Sequence, residues 1–175
     1  MRKCVISLLS VLIGSAVGGL AVIKREAGKA DKAQEQADKY LEMFRIMNQW
    51  VQVKQQGKDL VGYFEKENFK KIAIYGMGSV GEALLMELKS SKITVAYGID
   101  KRADSLCADI HIVPIEDFLE EVDAVVVTAV TSYNEIERKL REKMKCPIIP
   151  FGEILYEVHY LDCEKRETIV CGAQN

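Results

Sequence analysis

Residues 4–23, CVISLLSVLIGSAVGGLAVI, carry no charge, and residues 24–39, KREAGKADKAQEQADK, are polar and helix-friendly. From Tyr40 an apolar stripe sets in. Tyr40, Met43, Phe44, Met47, Trp50 and Val51 fall within about 120° of one another on a helical wheel. Such a stripe covers something, either the domain that follows or a second chain in a homodimer, and packing on the domain is the preferred expectation. Ile46, Val53 and Leu41 spread beyond the stripe, which argues against a strict coiled-coil seam. Gly57 is the expected end of this helix. A shorter amphipathic piece, Lys58 to Lys66, leads into the first strand.

From Lys70 the pattern alternates between short apolar runs and amphipathic stretches. Strands are expected at 71–75, 93–100, 108–113, 123–130 and 146–151. Helices are expected at 79–91 (Val80, Leu84, Leu85 and Leu88 inward), briefly from Pro114 through PIEDFLEEV, at 132–144 and at 152–158. Apolar strands alternating with helices imply an α/β fold, a five-stranded parallel sheet covered on both faces. The expected order is 3-2-1-4-5, with a ligand crevice at the carboxyl ends of strands one and four. The tail, 159–175, is either an edge strand around Thr168–Val170 or a loose end.

The uncharged run 4–23 changes the organisation. Twenty such residues make a helix of about 30 Å, enough to cross a hydrocarbon core. Arg2 and Lys3 precede it, and Lys24, Arg25, Lys29 and Lys32 follow. The larger positive cluster lies after the span, so the positive-inside rule favours a single-pass membrane protein with a cytoplasmic C-terminal part. The competing reading is a cleaved signal peptide, with Ala16 to Gly19 as a poor cleavage site. The chain then divides into an anchor (1–23), a helical linker (24–68), a binding domain (69–158) and the tail.

Composition adds exclusions. With 49% hydrophobic and 29% charged residues a packed core is within reach, and a net charge of −2 gives no basic surface for nucleic acid. The five cysteines form no CxxC pair, and His111 and His159 are far apart, so spacing argues against a zinc site and for free thiols.

The candidate chemistry sits in KIAIYGMGSVGEALLMEL, Lys71 to Leu88. Gly76 permits a tight turn out of the first strand, Gly78 lets a pyrophosphate approach the backbone, and Gly81 lets the helix lie close on the strand. Free N–H groups around Ser79 and Val80 point at the anion, aided by the helix dipole. A lone GxGxxG is weak. Here it has a strand before, a helix after, and Asp100 at the end of the next strand, 24 residues after Gly76 and 19 after Gly81. A carboxylate there accepts ribose hydroxyls and favours NAD over NADP, although Lys101 and Arg102 blur that preference. Gly76, Met77, Gly78, Ser79, Val80, Gly81, Asp100, Lys101, Thr128 and Ala129 are the candidate cofactor-binding residues. The alternative is a retained fold whose glycines serve only turn and packing, with Asp100 a solvated turn residue. Thr128, Ala129 and Thr131 are expected to face the crevice, with Thr131 or Ser132 capping the next helix.

These residues carry a resemblance. From about Trp50 to Val158, IAIYGMGSVGEALLMEL, VAYGID and DAVVVTAV, together with the lead-in Trp50, Lys54, Gly57, Lys58, Leu60, Tyr63 and Phe64, resemble NAD(P)-binding Rossmann-like modules of bacterial surface-polysaccharide biosynthesis. Relatives of that type include nucleotide-sugar epimerase and dehydratase accessory domains. The resemblance implies a Rossmann-like fold, an NAD-like cofactor and a polysaccharide-assembly enzyme as partner. The epimerases use a Tyr-x-x-x-Lys pair as acid/base. This chain departs from it: Tyr133 is followed by Glu137, Tyr156 by Tyr160 and Tyr160 by Glu164. The expectation is a membrane-anchored nucleotide-binding protein, a sensor or accessory subunit. The alternatives are a small oxidoreductase or epimerase needing a partner chain, and an interaction module with a vestigial loop.

Overall fold

The structure, a computed structural model, describes residues 2–106 and 108–160, with side chains from Lys29 onward except that of Val130. It divides into two units, Met1–Leu41 and Glu42–Asn175. The first is helical, as the N-terminal part of α1 (Arg2–Gln55). The candidate anchor, Cys4–Ile23, falls where side chains lie outside the description. Among the described residues no helix is long and apolar enough to cross a membrane. The tail from residue 161, with the candidate edge strand at Thr168–Val170, also lies outside the described residues.

The second unit is an α/β sheet. In chain order, α1 is followed by α2 (Val61–Lys66), β1 (Lys71–Tyr75), α3 (Ser79–Leu88), β2 (Thr94–Ile99), β3 (Ile112–Val113), β4 (Ala124–Val127), α4 (Tyr133–Arg141), β5 (Ile148–Pro150) and α5 (151–160). The five strands are all parallel, in the order 3-2-1-4-5. β1 matches its expected bounds; α5 is longer than the expected 152–158, α3 and α4 are shorter than expected, and the other strands are shorter than their apolar runs. Most of that difference is ladder geometry, because pairing stops where the neighbouring strand stops.

The strand side chains alternate between two cores, as a period of two demands. Ile72, Ile74, Ala124, Val126 and Ile149 face one side, where they meet α1, α2, α3 and α5 through Trp50, Leu60, Phe64, Leu84, Leu88, Ile154 and Leu155. Ala73, Tyr75, Val125, Val127 and Ile148 face the other, against Ile136, Leu140 and Met144. Trp50 sets its ring edge-on to Phe151 at 4.8 Å. Each large apolar side chain buried this way contributes about 1.5–3 kcal/mol.

Gly57 ends α1 as expected. It takes φ +72°, and the Gly57 and Lys58 amides donate to the carbonyls of Lys54 and Val53 at 2.9 and 3.2 Å, a Schellman cap.

Three expectations need correction. The stripe is rotated: Ile46, Trp50 and Val53 are buried, and Met43 and Met47 half-buried, whereas Tyr40, Phe44 and Val51 are exposed. The apolar arc is wider than the domain can cover, and the domain takes the side that holds Ile46 and Val53. Second, β3 is two residues long, not 108–113, which leaves a blunted edge to the sheet. Third, the helix expected from Pro114 does not form. A single turn, Asp117 N–H to Pro114 O at 3.2 Å, gives way to chain without regular secondary structure. The connection must run from the carboxyl end of β3 to the amino end of β4 in ten residues. A helix rises only about 1.5 Å per residue against about 3.3 Å for a strand. The freed carbonyls are served from outside: Lys143 Nζ donates to Glu116 O and Asp117 O at 2.7 and 3.0 Å, and the Tyr97 hydroxyl to Glu120 O at 2.7 Å.

One carboxylate joins three helices. Glu87 on α3, its side chain 9% exposed, accepts from Trp50 Nε1 at 2.7 Å, Lys54 Nζ at 2.7 Å and the Leu60 amide at 2.9 Å. Replacing it with alanine strands a buried indole N–H and a backbone amide, each costing about 1–3 kcal/mol. Glu87→Ala is expected to lower stability by about 2–4 kcal/mol in urea unfolding. A Glu87→Gln variant, which keeps an acceptor oxygen, is expected to recover about half of that.

Candidate functional site

Register assembles the site. Tyr75 pairs with Ile99 on one side and Val127 on the other. The next residues, Gly76, Asp100 and Thr128, therefore stand side by side at the carboxyl edge of the sheet. The Gly76 amide extends the ladder to Ile99 O at 2.8 Å, and the Thr128 amide to Tyr75 O at 2.9 Å.

The three loop glycines differ in what requires them. Gly76 has φ +96°, and a β-carbon there would sit 2.8 Å from Thr128 Oγ1 and 3.2 Å from the Ala129 nitrogen. Both backbone and space demand glycine. At Gly81 a β-carbon would overlap the carbonyl oxygen of Gly76, so α3 rests directly on the turn. Gly78 is different. It is the N-cap of α3 with extended backbone (φ −86°, ψ −165°), and a β-carbon there would meet nothing within 4 Å. The chain's own packing does not account for it.

The loop is clamped from below. Met77 is fully buried, its side chain turned into the core against Gly98, so only its backbone lies at the site. Its amide donates to Asp100 Oδ2 at 2.9 Å, and the Arg102 amide donates to Asp100 Oδ1 at 2.9 Å. The Asp100 side chain is 11% exposed. It is thus a buried brace between the end of β2 and the glycine loop, not the solvated turn residue of the alternative reading. A carboxylate offers about four lone-pair positions, and these two bonds leave two. Thr128 is buried as well, its hydroxyl aimed at the carbonyls of Gly76 (2.5 Å) and Tyr75 (3.1 Å).

What the loop presents outward is backbone N–H. The first turn of a helix has amides without intrahelical acceptors, and α3 has no side-chain cap. Ser79 is exposed beside them and Val80 is buried beneath. Ala129 is half-buried. The cations Lys101 and Arg102 are exposed next to Asp100, with Arg102 Nε 3.7 Å from its carboxylate.

Sequence spacing did not reveal the charges that α4 adds to this edge. Lys139 bonds Glu135 at 2.7 Å. Lys139, and more weakly Lys101, hold the Glu135 carboxyl below its usual range. Burial pushes the Tyr75 hydroxyl up, opposed by the nearby charge of Lys139. The Lys139–Glu135 pair is an i,i+4 pair within α4, and what the sequence hides is its approach to Lys101 and Tyr75, which lie on other elements. Thr131 and Ser132 are exposed. Ser132 is the N-cap of α4, but it makes none of the side-chain bonds expected of a cap.

The histidines lie elsewhere. His111 immediately precedes β3, its carbonyl accepting from the Gly98 amide at 2.8 Å, and His159 is near the end of α5 with Nδ1 3.4 Å from Gln56 Nε2. Among the described residues no three His, Cys, Asp or Glu side chains are placed to share a metal ion.

Residues 68–147, from just before β1 to just before β5, match the C2185-like N-terminal family. The chain is similar to that family over this stretch. No curated protein and no solved structure matches the chain.

The two structural glycines and the third separate cleanly in a stability measurement. Gly81→Ala forces α3 off the turn and is expected to cost about 1–3 kcal/mol, in the range of overpacking. Gly78→Ala meets no neighbour and no forbidden backbone; the poorer N-cap propensity of alanine and the lower entropy of its unfolded chain oppose each other, and the net change in stability is expected to be under about 0.5 kcal/mol. Thermal or urea unfolding of both variants checks the pair.

Proposed function

We propose that this chain binds a nucleotide at the carboxyl edge of its sheet, in the manner of a Rossmann-like module. NAD or a related dinucleotide is the ligand class. Its pyrophosphate lies against the amides of Gly78, Ser79, Val80 and Gly81, and its ribose lies beside Asp100 and the Lys101–Arg102 pair. The observation that carries this reading is Gly78: an open, unobstructed backbone at a helix N-terminus, in a loop whose other glycines are used up by the fold. A helix N-terminus favours anions through its free N–H groups and its dipole. Asp100 supports the reading in a modified form. It fixes the loop and keeps two lone-pair positions for ribose hydroxyls, and the exposed cations beside it leave room for a 2′-phosphate.

In the same proposal the uncharged run Cys4–Ile23 tethers the domain to the cell membrane in a single pass, with the sheet on the cytoplasmic side where nucleotides are supplied. The protein then works as a sensor or as an accessory subunit, with a surface-polysaccharide assembly enzyme as the partner class. The reading stops at binding. The tyrosine that ends β1, Tyr75, is buried and its hydroxyl is made less acidic by that burial, which is opposite to what a proton-transfer role needs.

The test is a thermal shift on the full chain in detergent, with NAD(H), NADP(H), UDP-sugars and coenzyme A. A ligand present at a hundredfold over its Kd adds about 2.7 kcal/mol, expected as a clear rise in Tm. Gly78→Val, which fills the open space without touching the core, is expected to abolish the rise and leave the unliganded Tm unchanged. No shift with any of the four classes, or equal shifts in Gly78→Val, overturns the proposal.

A further inference from the structure

The apolar arc of α1 serves two purposes. Ile46, Trp50 and Val53 are buried against the sheet, and these include two of the residues that break a coiled-coil spacing in the sequence. With Ile46 and Val53 accounted for, Tyr40, Phe44 and Val51 remain exposed, with Met47 half-buried against the domain between them, at intervals of four, three and four. That is the alternation of a and d positions. Phe44 is 67% exposed, Tyr40 56% and Val51 50%, and of eight large hydrophobic residues exposed among those described, four fall at positions 40, 41, 44 and 51. The spacing continues upstream in the sequence to Ala37, Ala33 and Ala30, so a and d are apolar over three heptads. Every residue from Lys29 to Leu41 is exposed.

We infer that this seam is where a second copy of the chain docks, α1 against α1. Three observations choose that occupant. The 3-4 spacing is the pattern that two like helices bury between them. The flanking e and g positions, Gln34, Gln36, Leu41, Met43, Asn48 and Trp50, carry no charge, while Asp31, Lys32, Asp38 and Lys39 stand off the seam. Two identical helices therefore meet without opposing like charges, and the e/g charges that would select a different partner helix are missing. Next to the seam, a groove of about 460 Å³ lies between α1 and α3, lined by Met47, Val51 and Ala83 among others, and gives the partner helix a seat.

The test is sedimentation equilibrium of the full chain in density-matched detergent. The wild type is expected to be dimeric at micromolar concentration. The double variant Phe44→Glu, Val51→Glu is expected to be monomeric while its sheet domain still unfolds cooperatively, because both side chains are exposed. Phe118→Glu, at an exposed residue of the β3–β4 connection (86% exposed), is expected to remain dimeric. Ala33→Leu with Ala37→Leu is expected to tighten the dimer at least tenfold. A monomeric wild type, or a double variant that dimerises as tightly as wild type, overturns the inference.

Discussion

The contact on which the site depends is the approach of α3 to the turn after β1. At Gly81 the helix has no side chain, and the Gly76 carbonyl occupies the space where one would be. That contact sets the start of α3 at the carboxyl edge of the central strand. The rest of the helix then buries Val80, Leu84 and Leu88 against the sheet. It also brings Glu87 to the place where α1 ends and α2 begins. The same close approach thus fixes both the open N-terminus of α3 and the packing of the preceding helices.

Around this contact the chain spends its polar side chains on itself. Asp100 holds the Met77 amide, and Thr128 bonds the carbonyls of Tyr75 and Gly76. A loop braced from both neighbouring strands is rigid before anything binds, and a preformed site loses less entropy on binding. What such a loop still offers is a row of amides, an open position at Gly78 and a rim of cations. These features favour an extended anion with a polar sugar more than a neutral apolar ligand.

The sequence was most informative where structure is local. The apolar run KIAIY, the loop GMGSVG and the strong strand around Val125 identify the central strands and the sheet edge where Gly76, Asp100 and Thr128 meet, because each feature lies within a few residues. The strand order followed from chirality and alternation. It was least informative where a choice depends on distant geometry. Residues 114–122 have the spacing of a helix, but the crossover from β3 to β4 is too long for helical rise. The apolar arc of α1 is continuous in sequence, and only the sheet shows that Ile46 and Val53 belong to the domain while Phe44 and Val51 do not. Asp100 was legible as a partner of the loop, but its bond to the Met77 amide depends on the register of β1 and β2. Glu87 carried no signal, since its three partners come from α1 and the turn before α2.

The central claim is that the amides at the start of α3 receive the phosphates of a nucleotide. Titration of the isotopically labelled full chain with NAD, followed by amide chemical shifts, tests it most directly. The account predicts saturable shifts, largest at Gly78, Ser79, Val80 and Gly81 and smaller at Lys101 and Arg102, with none at the far end of α4. Absence of shifts at Gly78–Gly81 up to millimolar NAD, NADP and UDP-sugars, or saturable shifts confined to another surface, would contradict it.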